Sequence, residues 1–100
     1  MHQLTAHEIE TKLSKLEGWV LIDDANIKKL KTVFQTANYS QSIALTNAVA
    51  NLAELYDHHP QIIVEYATVT VIWWTHSIKG LQENDFMLAA ETSALFVKLI

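Results

Sequence analysis

Apolar residues in the first stretch of the chain, Ile9, Leu13 and Leu16, recur three or four positions apart, the spacing of a helix with one buried face. The stretch opens on Thr5-Ala6-His7-Glu8. This is a capping-box pattern, in which the threonine hydroxyl and the glutamate carboxylate each take the other residue's free backbone N–H. A helix is therefore predicted over 5–16, with Gly18 ending it. The period then shortens to two. Residues 19–23 and 27–34 read as strands joined by Asp23-Asp24-Ala25-Asn26, a turn-rich link. In the second strand Lys29 and Lys31 share one face and Leu30 and Phe34 the other, so one side of the sheet is expected to be wet.

Helical spacing returns after Asn38 or Ser40, either of which has the side chain to cap it. Ile43, Ala44, Ala48, Leu52 and Leu55 form the expected apolar stripe of a second helix reaching about residue 57. Pro60 cannot continue a helix and turns His59 away from helical angles, so the helix stops near the histidine pair. Residues 62–75 are rich in β-branched and aromatic side chains. That run is too long for one strand of the usual ~5–6 residues, so a hairpin is predicted with its bend near Tyr66-Ala67-Thr68 and His76 at its far end. Trp73 and Trp74 point to opposite faces of the strand, placing at least one in the core or an interface. After Gly80 a last helix is predicted over 83–99. It has two apolar sides, Phe86, Ala89, Ala90, Ser93 and Val97 on one and Leu88, Leu95 and Leu99 on the other. One should pack on the sheet, and the other needs cover, which hints at a subunit interface.

The order α-β-β-α-β-β-α predicts a two-layer α+β fold, a four-stranded antiparallel sheet with helices packed on one face. One hundred residues suffice for one small domain, 1–100, and not for two independent cores. Half of the residues are hydrophobic and 18% are charged, as in a folded globular chain.

Composition removes several chemistries. Without cysteine there is no disulfide framework, thiolate nucleophile or zinc–sulfur site, and a reducing cytoplasm is the default expectation. The N-terminal residues show no signal peptide, and no apolar run approaches the ~20 residues that span a bilayer. A net charge of −4 argues against nucleic acid as the main ligand. All the basic residues are lysines, so the bidentate arginine clamp for phosphate or carboxylate is missing. A planar or polar small molecule is the expected ligand.

The candidate chemistry lies in Asp57-His58-His59-Pro60, followed by His76 and Asp85. Histidine gives and takes protons near neutral pH. Glu54 lies four residues before His58, on the same helix face, and His58 falls at the helix C-terminus, where the macrodipole favours positive charge. The same dipole disfavours Glu54 and Asp57, which solvent tolerates or function requires. Taken alone, a His-His-Pro run is an ordinary solvated loop, and Asp85 in a first helical turn is ordinary charge complementarity; His2 and His7 read as solvated. Three imidazoles with nearby carboxylates suit acid–base catalysis. A three-histidine zinc site is the competing reading, but His-x-x-x-His is absent and adjacent histidines rarely both reach one ion, so no metal is assigned.

At these residues the chain closely resembles the pterin-4a-carbinolamine dehydratases: Ala53-Glu54, Asp57-His58-His59-Pro60, Tyr66, Thr75-His76, Gly80-Leu81, Asp85 and Leu88-Ala89 keep the spacing, and the resemblance covers almost the whole chain. It implies a saddle-like α+β fold assembled as a homodimer or homotetramer through strand edges and helices. It also implies dehydration of 4a-hydroxytetrahydropterin to the quinonoid dihydropterin, without a cofactor, in support of pterin recycling. On this resemblance His58, His59 and His76 become the acid–base and substrate-holding set, with Glu54, Asp57 and Asp85 orienting them. Pro60, Thr75 and Ser77 join the histidines in lining the substrate site. Relatives often carry an acidic residue and a tryptophan after the proline, where this chain has Gln61-Ile62, so one aromatic wall is expected to be either missing or supplied by Trp73 or Trp74. Lys79 stands where a small residue is common. Animal members also bind a homeodomain transcription factor, so the rival expectation is an oligomeric interaction module of the coactivator type.

Overall fold

A computed structural model describes residues 3–100; His2 lies outside the described residues, and His7 is exposed. Helix α1 (Ala6–Leu13) starts on the capping box: Thr5 Oγ1 accepts the Glu8 N–H at 3.2 Å and Glu8 Oε1 accepts the Thr5 N–H at 2.8 Å. Regular helix stops at Leu13, short of the expected residue 16, and turns carry the chain to Gly18, whose φ of +88° suits glycine.

Strands β1 (Val20–Asp24) and β2 (Ile27–Gln35) pair antiparallel across a two-residue turn. Both turn residues have positive φ, 53° at Ala25 and 68° at Asn26, the combination that a type I′ hairpin requires. Asp23 Oδ1 accepts the Asn26 N–H at 3.0 Å and steadies the bend.

Helix α2 (Tyr39–Tyr56) is capped by Asn38 rather than Ser40, through Asn38 Oδ1 and the Gln41 N–H at 2.9 Å. Its buried row is Ser42, Leu45, Val49 and Ala53. This corrects the expected stripe: Ile43, Ala44 and Leu55 are exposed, and Ala48 and Leu52 are half-buried. The segment is apolar on both sides of either row, so periodicity alone cannot choose. Ser42 decides, because its hydroxyl must reach the Tyr66 carbonyl at 3.2 Å and Thr36 Oγ1 at 2.6 Å, which rotates its own row inward.

Strands β3 (Gln61–Val64) and β4 (Thr68–Trp73) form the second hairpin. Its glycine-free turn is held from outside: Tyr66 O takes the Ser42 hydroxyl, and Ala67 O takes the Thr36 N–H at 2.8 Å. The sheet order is β1-β2-β4-β3, all antiparallel. Helix α3 (Glu83–Leu99) follows as predicted.

Leu30, Phe34, Val69, Val71 and Trp73 on one sheet face meet Leu45, Val49 and Ala53 of α2 and Phe86, Leu88 and Ala89 of α3 in one buried cluster. The fold is thus α+β, with these helices on one side of the sheet. The Trp73 indole N–H, fully buried, donates to Thr92 Oγ1 at 3.0 Å, so the core tryptophan leaves no orphaned donor. On α3 the division of apolar residues runs along the helix more than around it. Phe86, Leu88 and Ala89 are buried, Ser93 and Leu95 half-buried, and Ala90, Val97 and Leu99 exposed.

The opposite sheet face is less wet than expected. Lys29, Thr70 and Ile72 on it are buried, and the Lys29 side chain lies against the Trp74 ring on the same face. No helix among the described residues is long and apolar enough to cross a membrane.

Alanine in the left-handed region is strained by about 1–2 kcal/mol. Replacing Ala25 by Asn and Asn26 by Gly, the preferred I′ pair, should therefore stabilise the protein by about 1 kcal/mol and raise Tm by about 4–8 °C. Thermal unfolding followed by circular dichroism checks this, and an unchanged or lower Tm contradicts the turn assignment.

Candidate active site

Three chain reversals bring the candidate residues together. The first ends α2. Asp57 sits in the left-handed conformation (φ 49°, ψ 46°), its N–H bonding Glu54 O at 3.3 Å while the His58 N–H bonds Ala53 O at 3.1 Å. This is a Schellman closure with aspartate in the place that glycine usually takes. It sends the two histidines apart. His58 turns inward, its side chain 14% exposed, to Asp85, and its ring centroid lies 5.7 Å from that of Trp73. His59 stays half in solvent, its Nε2 2.5 Å from Glu54 Oε2.

The second reversal follows β4. Thr75 and Gly80 bridge antiparallel, with Thr75 N–H to Gly80 O at 2.8 Å and Gly80 N–H to Thr75 O at 3.3 Å. The neck pinches off a short loop whose single 3₁₀ turn spans His76–Ile78. His76 therefore stands on this turn, beyond the strand end where the hairpin pattern had put it. Lys79 closes the turn with φ 50°, a backbone state that explains why a small residue, glycine above all, suits the position.

The third reversal starts α3. Asp85 lies in its first turn, as ordinary dipole complementarity would have it, but is fully buried. Its Oδ2 accepts the Gln82 N–H at 2.9 Å and the Thr75 hydroxyl at 2.7 Å; its Oδ1 lies 2.8 Å from His58 Nε2. A buried carboxyl without partners would be strongly destabilising, and here both oxygens are used. An ionised carboxylate can only accept, so with Asp85 ionised the hydrogen of this bond sits on Nε2 and Nδ1 of His58 is left for a ligand.

Asp57, His58, His59, Thr75, His76 and Ser77 line one open cleft of about 260 Å³, near the small end of ligand pockets. A larger groove of about 360 Å³ between α1 and α3, lined by Lys12, Lys15, Phe86 and Met87 among others, holds no histidine. Chemistry and not size therefore picks the site. Of the other residues named from sequence, Glu54 stands outside the cleft and touches it only through His59, Pro60 is half-buried, and Asp85 lies beneath, holding His58 and Thr75. Among the described residues no group of three His, Asp or Glu side chains is arranged to hold a metal ion.

Two residues enter that the site's sequence pattern left out or left open. Trp74 stacks on His76, ring centroids 4.3 Å apart and planes 12° from parallel. The Lys29 ammonium lies 3.9 Å from the Trp74 ring centre and 2.8 Å from Asp24. Of the two candidate tryptophans, Trp73 lies wholly in the core against His58, and Trp74 is partly exposed beside His76. The spacing Trp74-x-His76 was a legible sign, because residues two apart share a side of an extended chain. Lys29 carried no such signal.

The sequence model of the pterin 4 alpha carbinolamine dehydratase family matches residues 2–95. A protein of Vibrio cholerae named as a candidate pterin-4-alpha-carbinolamine dehydratase is 47% identical over 92 residues, 92% of this chain and 84% of its own length. One of the same name from Saccharophagus degradans is 43% identical over 89% of this chain and 79% of its own. Among solved structures, a transcriptional coactivator/pterin dehydratase from Brucella melitensis superposes with a TM-score of 0.87 at 30% identity, covering 94% of this chain and 98% of that one. A pterin dehydratase-like protein identified as a RuBisCO assembly factor in the α-carboxysome gives 0.68 at 26% identity, over 80% and 90%. Matched over nearly its whole length in both sequence and fold, this chain belongs to the pterin-4a-carbinolamine dehydratase family.

Proposed function

We propose that the chain dehydrates a 4a-hydroxytetrahydropterin to the quinonoid dihydropterin and water, by proton transfers through its histidines. The observation that carries this reading is the cleft that gathers His58, His59 and His76 above a buried carboxyl bonded to the first of them. Family membership supports it.

The reaction breaks the C4a–O bond and forms the C4a=N5 double bond. The departing hydroxyl needs a proton to leave as water, and N5 must release one. No electrons are exchanged with an outside partner, so side chains that donate and accept protons near neutral pH suffice. In this reading Asp85 orients His58, whose Nδ1 serves the substrate. Glu54 steadies His59 at the rim, and both ring nitrogens of His76 stand without a protein partner among the described residues. Thr75, Ser77 and Pro60 shape the pterin site, and Asp57 sets the turn that presents the histidine pair.

The same reading has the protein recycling the tetrahydropterin of an aromatic amino acid hydroxylase and working as a homodimer or homotetramer. Exposed Tyr39, Ile43, Leu55 and Tyr56 on α2 and Val97 on α3 support self-association. The names of the two solved relatives favour a second reading, an oligomeric module that assists another protein. A purified oligomer that leaves decay of the 4a-hydroxy intermediate unaccelerated in stopped-flow absorbance would support that alternative.

In that assay His58→Ala and His76→Ala should each slow dehydration by roughly 10²–10⁴-fold, the usual contribution of an acid–base group. Wild-type turnover in both variants contradicts the assignment. Asp85→Asn keeps the shape but sets an amide against His58. A hydrogen bond to a charged group is worth about 1.5–3 kcal/mol, and 1.36 kcal/mol is tenfold in rate, so a loss of about 10–100-fold is expected with the far-UV spectrum retained. A rate within about twofold of wild type, well under 1 kcal/mol, would remove Asp85 from the account.

A further inference from the structure

His58 and His59 are each held by a carboxylate, whereas neither nitrogen of His76 has a hydrogen-bond partner among the described residues. His76 is exposed and stands on a single 3₁₀ turn, so nothing in its own loop fixes its ring. Among the described residues the ring stacked against it is the Trp74 indole, nearly parallel at 4.3 Å. That indole has a second neighbour, the Lys29 ammonium 3.9 Å from its centre. The indole is thus contacted at short range by both the lysine and the imidazole. Lys29 is itself confined: its side chain is 8% exposed and is anchored by Asp24 at 2.8 Å.

We propose that Trp74, itself held by Lys29, is the positioning residue for His76. The inference rests on the functional reading given above and assigns neither residue a contact with the substrate. Magnitudes favour a real effect. Immobilising a side chain of this kind costs on the order of 0.5–1.5 kcal/mol, and an aromatic stack returns about 0.5–1.5 kcal/mol. The stack is therefore large enough to decide how often the ring stands ready. It also orients the imidazole without consuming a nitrogen, unlike the carboxylates that hold the other two. For a group that must both take and give a proton, a stacked support keeps both nitrogens available.

The wild-type protein gives the first test. Ring current from a stacked indole moves the His76 carbon-bound proton resonances upfield in the proton–carbon NMR spectrum, and Trp74→Leu should abolish that shift. In stopped-flow dehydration Trp74→Leu should lower kcat about tenfold, as 1.4 kcal/mol of lost alignment implies, with KM little changed. Trp74→Phe, which keeps a stacking face, should recover to within about threefold. Lys29→Met should fall between these, and Lys29→Arg, whose guanidinium also stacks on aromatic faces, should stay near wild type. An unshifted His76 resonance in the wild type overturns the proposal. So does a wild-type kcat in Trp74→Leu when His76→Ala is inactive. If His76→Ala is itself fully active, the part of His76 in the functional reading has failed instead, and the NMR result still stands as the test of the stack.

Discussion

The buried carboxyl of Asp85 joins three separate pieces of chain at one point. Gln82 belongs to the start of α3, Thr75 to the end of the β4 hairpin and His58 to the end of α2, and each is hydrogen-bonded to the same side chain. Removing a carboxyl from water is costly, and only multiple bonds of good geometry offset that cost. Its place in the first turn of α3 adds the favourable end of the helix dipole. Loss of any partner would leave the others facing an under-satisfied buried group, the situation in which single changes are most damaging. The residues that line the cleft are the neighbours of this knot in the chain, so the site's shape follows from satisfying one acid.

Around the knot the three imidazoles are supported in different ways. His58 is held by a buried acid, His59 by an exposed glutamate and His76 by an indole face. The contact between His59 and Glu54 lies largely in water, where such contacts contribute little to stability. It sets direction more than energy. The result is one firmly fixed histidine with one nitrogen left for a ligand, beside a stacked histidine with two. The proposed dehydration, with proton delivery to a leaving hydroxyl and proton removal from the neighbouring nitrogen, would be served by such a pair, since the two transfers occur at different atoms of one small ring system.

Much of this was legible in the sequence, and the exceptions have physical reasons. The last helix was readable to the residue, because Gly80 frees the chain and Glu83 to Leu99 holds a steady helical period. The break at Asp57-His58-His59-Pro60 followed from proline, and the spacing to His76 and Asp85 carried the family resemblance. The inward row of α2 was not readable: two apolar rows compete, and the choice falls to the polar ties of Ser42, a contact between distant segments. The burial of Asp85 was hidden for a similar reason, since an acid in a first helical turn is usually solvated. Lys29 looked like a residue of a wet sheet face and turned out to lie under a tryptophan. Pairwise geometry across the sheet leaves no trace in a one-dimensional pattern.

The most direct measurement of the account is the tautomer of His58, read from its ring nitrogens by two-dimensional ¹⁵N–¹H NMR on the protein labelled at histidine, above the pH where the ring is charged. If Asp85 accepts from His58, the hydrogen resides on Nε2 and Nδ1 shows the shift of an unprotonated nitrogen. A hydrogen on Nδ1, or averaged shifts from rapid exchange between the two forms, would mean that the buried acid does not hold this imidazole, and the knot would lose its place at the centre of the site.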